Sequence, residues 1–89
     1  MPERTYTIVN REGLHARPAA KFVKLTSGFE SEIWVKKDDD EVNGKSIMGL
    51  MMLAAEQGSS IAVIAEGSDA EEALDRIGAL IENGFADVS

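Results

Sequence analysis

The 89-residue chain is long enough for one small domain, 1–89, and its 44% hydrophobic content suits a folded globule rather than a disordered tail. A net charge of −7 argues against general nucleic-acid binding, and the absence of cysteine removes disulfides, thiolate nucleophiles and zinc–thiolate sites. No segment is long and charge-free enough to span a bilayer and "MPERTYTIV" has no leader pattern, so we expect a cytoplasmic protein with no membrane insertion.

In chain order, "RTYTIVN" alternates and predicts a strand with Tyr6 and Ile8 on one face. "REGLH" reads as a loop. From Ala16 to about Thr26 the residues Ala19, Phe22, Val23 and Thr26 form a helical stripe, with Ala20, Lys21 and Lys24 outward and Gly28 as the terminator. "SEIWVKK" predicts a strand with Ile33 and Val35 inward; Asp38 and Asp39 make a tight turn, and "DEVN" is the return strand. "GKSIMGLMMLAAEQG" predicts a helix of two to three turns beginning after Ser46, with Leu50, Leu53 and Ala54 inward. "SSIAVIAEG" is a strand with Ile61, Val63 and Ala65 on one face. "SDAEEALDRIGALIENGF" is the clearest helix. Asp69 and Glu72 resemble a capping box, the stripe is Ala73, Leu74, Ile77 and Ile81, and Gly84 takes the C′ position. Gly78 inside this helix implies close packing on the sheet, since glycine there costs about 1 kcal/mol relative to alanine.

The order β-α-β-β-α-β-α predicts an α/β (α+β) domain: an open-faced sandwich with an antiparallel sheet covered on one face by helices. The acidic run Asp38–Glu41 is a solvated hairpin and no metal site is expected, because consecutive side chains on a turn do not converge. No cofactor is called for. Charge is uneven along the chain. Residues 1–24 carry five basic groups (Arg4, Arg11, Arg17, Lys21, Lys24) and two acidic ones (Glu3, Glu12), so the surroundings of His15 are basic in an acidic protein.

His15 is the only histidine. As the residue before a helix it would leave the N–H groups of Ala16 and Arg17 without partners inside that helix, while Pro18 has no N–H to lose. Those two N–H groups and the positive helix end can cradle an anion, and the Arg17 guanidinium can grip phosphate oxygens. A neutral imidazole beside such a cradle could accept a phosphoryl group in line, with the charge of the loose transition state facing the donors.

"GLHARPAA" resembles the active-site string of the HPr phosphocarrier proteins of bacterial phosphotransferase systems, and "GKSIMGLMMLAA", Gly44 to Ala55, resembles the second signature of that family. The resemblance spans nearly the whole chain. It implies a four-stranded antiparallel sheet with three helices on one face. It also implies that His15 is phosphorylated on Nδ1 by Enzyme I, itself phosphorylated by phosphoenolpyruvate, and passes the group to EIIA components with Arg17 as the active-site arginine. Such a protein is a relay and a substrate, not an enzyme with turnover, and is usually monomeric.

Ser46 reads first as the N-cap of the helix that follows. That helix carries more large apolar side chains than one inward stripe can use, so Met48 and Met51, with Ile47 and Met52, are expected at least partly outward, where flexible thioethers suit a surface fitting several partners. By resemblance, Ala16, Ala20, Lys24, Ile47, Met48 and Met51 form the face that meets Enzyme I and EIIA, and the basic Arg17, Lys21 and Lys24 would attract acidic partners. "KSIMGLM" also resembles sequences phosphorylated by HPr kinase/phosphorylase, which makes Ser46 a candidate switch and a transcriptional regulator a further possible partner. The alternatives are a nitrogen-related or regulatory paralogue, and a small ferredoxin-like ligand-binding domain with no phosphohistidine.

Overall fold

The structure is a computed structural model and describes residues 1–86. The elements are β1 (Glu3–Thr7), α1 (Ala16–Thr26), β2 (Glu32–Lys37), β3 (Asp40–Asn43), α2 (Ile47–Met52), β4 (Ser60–Glu66) and α3 (Ala70–Glu82). The four strands form one antiparallel sheet in the order β1-β4-β2-β3. The last strand in sequence therefore sits between the first two.

Alternation along the strands sends Ile33 and Val35 of β2 and Ile61, Val63 and Ala65 of β4 toward the helices, where all are buried. Phe22, Leu50, Leu74, Ile77 and Ile81 meet them from α1, α2 and α3. Ile8 completes the core just beyond β1, its N–H donating to the Ser59 carbonyl at 2.9 Å. Trp34 and Ile64, paired across β2 and β4, alternate onto the opposite face and stand outside the core cluster. Asp38 turns the β2–β3 hairpin with φ 55, a conformation Asp tolerates because its short side chain bonds locally.

Four local expectations change. Helix α2 has six residues, not two to three full turns. The Leu53 and Ala54 N–H groups donate three residues back, to Leu50 and Met51, and Ala54 then swings to φ 52. Ala54 is consequently exposed, and Ala55 takes the inward place. Gly28 directly follows Ser27, the C-cap of α1, but without the left-handed backbone of a C′ glycine; its N–H donates to the Leu25 carbonyl at 3.1 Å. Asp69 is the N-cap residue of α3 but makes no capping-box bond. Its carboxylate accepts the N–H groups of Glu30 at 2.9 Å and Ser31 at 3.0 Å together with the Ser31 hydroxyl, tying the start of α3 to the start of β2.

Two glycine expectations hold. Gly84, at φ 67, closes α3 in a Schellman arrangement in which the Phe85 N–H donates to Leu80 and the Gly84 N–H to Ile81, both at 3.0 Å. A Cβ on Gly78 would lie 2.6 Å from Tyr6 Cε1, so the missing side chain is what lets α3 settle on β1. The Tyr6 hydroxyl donates to the Leu74 carbonyl at 2.7 Å across that contact.

Candidate functional site

His15 is the N-cap residue of α1, extended at φ −77 and ψ −174, and its imidazole makes no capping bond. Its carbonyl accepts the Ala19 N–H at 2.9 Å, so the backbone starts the helix and leaves the ring to other chemistry. Ala16 and Arg17 occupy the first two helical positions, whose N–H groups have no carbonyl four residues back within the helix. Pro18 is buried beneath them with its fixed φ suited to a first turn. His15, Ala16 and Arg17 are all exposed. Imidazole, paired N–H donors and a guanidinium thus share one end of one helix, open to an incoming group.

The loop bearing His15 is fixed from behind. Gly13 has φ 67, and a Cβ there would overlap the Ala55 carbonyl oxygen. The neighbouring Leu14 N–H donates to that same carbonyl at 2.9 Å, and the Leu14 side chain is buried. Asn10 clasps the loop from the other side, Nδ2 donating to the Gly13 carbonyl at 3.0 Å. The histidine is thereby referenced to the segment just after α2. The sequence shows Gly13 only as a loop residue; its role is close approach, which the position of Ala55 reveals.

The basic residues near His15 separate into two groups. Arg17 and Lys24 are exposed on α1, as is Arg11 in the loop. Lys21 is half-buried and donates from Nζ to the Phe85 carbonyl at 2.7 Å, which turns it toward the end of α3. Arg4 leaves the group altogether: it pairs with Glu71 at 2.8 Å and with Asp75, both on α3. Hydrogen bonding to Asp75 holds the Arg4 proton more tightly than usual. Of the five basic groups in residues 1–24, Arg11, Arg17 and Lys24 are thus the exposed ones. A groove between α1 and α3, bordered by Lys24, Leu25, Arg76 and Leu80, does not include His15.

Ser46 caps α2 as expected. It is extended at φ −118 and ψ 116, and its Oγ accepts the Gly49 N–H at 3.0 Å. Gly44, two residues earlier, is a close-approach glycine: a Cβ would lie 2.5 Å from Ile33 Cγ2, and its N–H donates to the Ile33 carbonyl at 2.7 Å. Thr26 of α1 donates from Oγ1 to the Gly44 carbonyl at 2.8 Å, which joins α1 to the approach to α2.

Helices α1 and α2 pack side by side. Ala16, Ala20 and Lys24 are exposed on the first, while on the second Ile47 is 40%, Met48 73%, Met51 43% and Met52 77% exposed. Leu50 is the buried residue of α2. The outward-facing expectation is met, and Met52 is more open than its neighbours. Among the described residues, no group of three or more His, Asp or Glu side chains could hold a metal ion, and no helix is long and apolar enough to cross a membrane.

The family described as "PTS HPr component phosphorylation site" matches residues 2–83. A phosphocarrier protein HPr of Neisseria meningitidis is 47% identical over 87 residues, 98% of each chain. The crystal structure of an HPr from Thermoanaerobacter tengcongensis superposes with a TM-score of 0.94 at 50% identity, covering 100% of both chains. A second structure from that organism, described as an HPr dimer, gives a TM-score of 0.78 at 52% identity, covering 98% of this chain and 100% of that one.

Proposed function

This chain belongs to the PTS HPr family of phosphocarrier proteins, and from that premise we propose that residues 1–89 act as one relay unit whose acceptor atom is Nδ1 of His15. A phosphocarrier is the substrate of partner enzymes, not an enzyme itself. In the proposed relay, Enzyme I phosphorylated from phosphoenolpyruvate is the donor and EIIA domains are the acceptors, in the cytoplasm, with the chain acting as a monomer and no cofactor or nucleic acid taking part.

The observation that carries the reading is an exposed imidazole that spends no bond on capping, beside the N–H groups of Ala16 and Arg17. The ring nitrogen attacks phosphorus in line; the new N–P bond forms as the donor's bond to phosphorus breaks. Charge spread over the three equatorial oxygens meets the two N–H donors and the Arg17 guanidinium. Because the ring stands at the surface, the partner closes the site and excludes water. The same donors hold the phosphoryl group until the next acceptor arrives.

The docking face we propose comprises Ala16, Ala20, Lys24, Ile47, Met48 and Met51, with Lys21 at its margin. Small alanines permit close approach, the thioethers adapt to partners of different shape, and Arg17 and Lys24 steer acidic surfaces. Ser46 borders the apolar part of that face. Phosphorylation of its hydroxyl by HPr kinase/phosphorylase would add about −1.5 to −2 charge there, slow the relay and offer a new surface to a transcriptional regulator.

Incubating the chain with Enzyme I and labelled phosphoenolpyruvate, then adding purified EIIA domains, tests the reading. Label should enter the chain and then leave it for EIIA. Label that never enters, or that enters and cannot be passed on, contradicts it.

A further inference from the structure

With no cysteine present, the sulfur of this protein lies in four methionines, and three of them stand on the six-residue helix α2. Their placement is unusual for such apolar side chains. Leu50 and Leu53 take the inward positions, while Met48, Met51 and Met52 are turned out to the degrees given above. Met48 and Met52 are four residues apart, and Met48 and Met51 three, so the thioethers share one strip of helix surface. An exposed thioether is open to two-electron oxidants, and the sulfoxide it forms is polar and chiral where the thioether was apolar and flexible.

We propose that Met48 and Met51 of the docking face, with Met52 beside them on the same strip of α2, form an oxidation site at which peroxide-class oxidants turn the apolar part of that face polar and thereby slow phosphoryl relay. The inference rests on the docking role proposed above for Met48 and Met51. In the reaction with hydrogen peroxide, a sulfur lone pair attacks one peroxide oxygen. An S–O bond forms as the O–O bond breaks; sulfur gives up two electrons, and the departing hydroxide takes the proton of the attacked oxygen and leaves as water. No other reactant is consumed. A sulfoxide oxygen pressed into an apolar contact loses its water without gaining a partner, which weakens docking.

The fold itself is spared, because the core beneath α2 is filled by Leu50 and Leu53, and the Ser46–Gly49 cap involves no sulfur. Methionine sulfoxide is also reversible through reductases specific for each epimer, so the change can be undone. Met1, 81% exposed and outside the docking face, is a built-in reference sulfur.

The test treats the 89-residue chain with dilute hydrogen peroxide, locates added oxygen by peptide mass spectrometry, and measures acceptance from phosphorylated Enzyme I. Oxygen should appear on Met48 and Met52 before Met51, and acceptance should fall about tenfold. The melting temperature should barely move, and methionine sulfoxide reductases should restore the rate. A Met48→Leu/Met51→Leu/Met52→Leu variant, which keeps Met1, should show the same rate before and after treatment. An unchanged rate with oxygen on all three sulfurs overturns the proposal. So does an equal fall in the leucine variant, or a fall that tracks unfolding. If the untreated chain accepts no phosphoryl group, the docking reading fails with it; normal acceptance before and after oxidation overturns the oxidation site alone.

Discussion

Gly13→Ala separates two reasons for a glycine in the loop that carries His15. The first is conformational: at φ 67 an alanine sits in the left-handed region, at about 1–2 kcal/mol. The second is steric: its Cβ would overlap the Ala55 carbonyl oxygen and come within 3.0 Å of Glu56 Cα. Both obstacles are backbone, which cannot rotate aside, so relief requires moving the loop and stretching the Leu14–Ala55 hydrogen bond; overpacking of this kind costs about 1–3 kcal/mol. Gly58 provides the matched control. Its φ is also positive, at 91, but nothing lies within 4 Å of a Cβ there, so Gly58→Ala meets the first penalty alone. The lower entropy of the unfolded chain helps both variants alike. Gly13→Ala should therefore be less stable than Gly58→Ala by about 1–3 kcal/mol in urea unfolding, with a melting temperature lower by about 4–8 °C for each kcal/mol. At a temperature where both are folded, Gly13→Ala should also accept phosphate more slowly, because the displaced loop carries the imidazole and the Ala16 and Arg17 donors. Equal stability of the two variants, or native acceptance by a destabilised Gly13→Ala, refutes the close-approach argument.

Three further outcomes follow from the site and the fold. Ser46→Asp keeps a good capping side chain and adds charge, so it should slow acceptance from Enzyme I while its melting point stays near native; Ser46→Asn, equally able to cap but neutral, should retain the native rate, and equal rates for the two would refute the charge mechanism. Lys24→Glu should reduce the association rate with Enzyme I several-fold at low salt and progressively less as salt screens the field; stopped-flow rates that ignore ionic strength would contradict steering. Asp69 is held below the ordinary carboxylate range, chiefly by the Ser31 hydroxyl and then by the Glu30 N–H. Between its folded and unfolded values the unfolded chain binds more protons, so this contribution is complete above the unfolded value and is lost as pH falls through the folded one. Asp69→Asn should be less stable at neutral pH and lose stability less steeply in acid, as read by urea titrations at stepped pH.

The periodic features were legible in the sequence because they are local. The stripe Ala19, Phe22, Val23 and Thr26 and the stripe Ala73, Leu74, Ile77 and Ile81 require only helical spacing, and each lands on its core-facing side. Ser46 as a cap and Gly84 as a helix terminator are equally local, and the structure has both. What the sequence misdirected is governed by residues far away in the chain. Asp69 has a capping-box partner at the right spacing, yet its carboxylate is drawn to Glu30 and Ser31, some 38 residues earlier, where several donors converge. Arg4 counts toward the basic N-terminal region in composition, but β1 lies beside α3 and its guanidinium is taken up by Glu71 and Asp75. Ala54 continues an apolar run in sequence, and only the left-handed turn after Leu53 puts it outside. The site shows the same division: the place of His15 just before a helix is legible from the local string, while its anchoring through Gly13 and Leu14 to Ala55 depends on the tertiary fold.

In the proposed relay the His15 ring takes the phosphoryl group and is not needed to hold the helix together. The decisive comparison is between the unaltered chain and His15→Ala after incubation with Enzyme I and labelled phosphoenolpyruvate. Since the imidazole makes no capping bond, the variant should melt close to the unaltered chain while taking up no label. Label on the unaltered chain should be lost in acid, as a phosphoramidate is. Acid-stable label, or label retained by His15→Ala, would contradict the account.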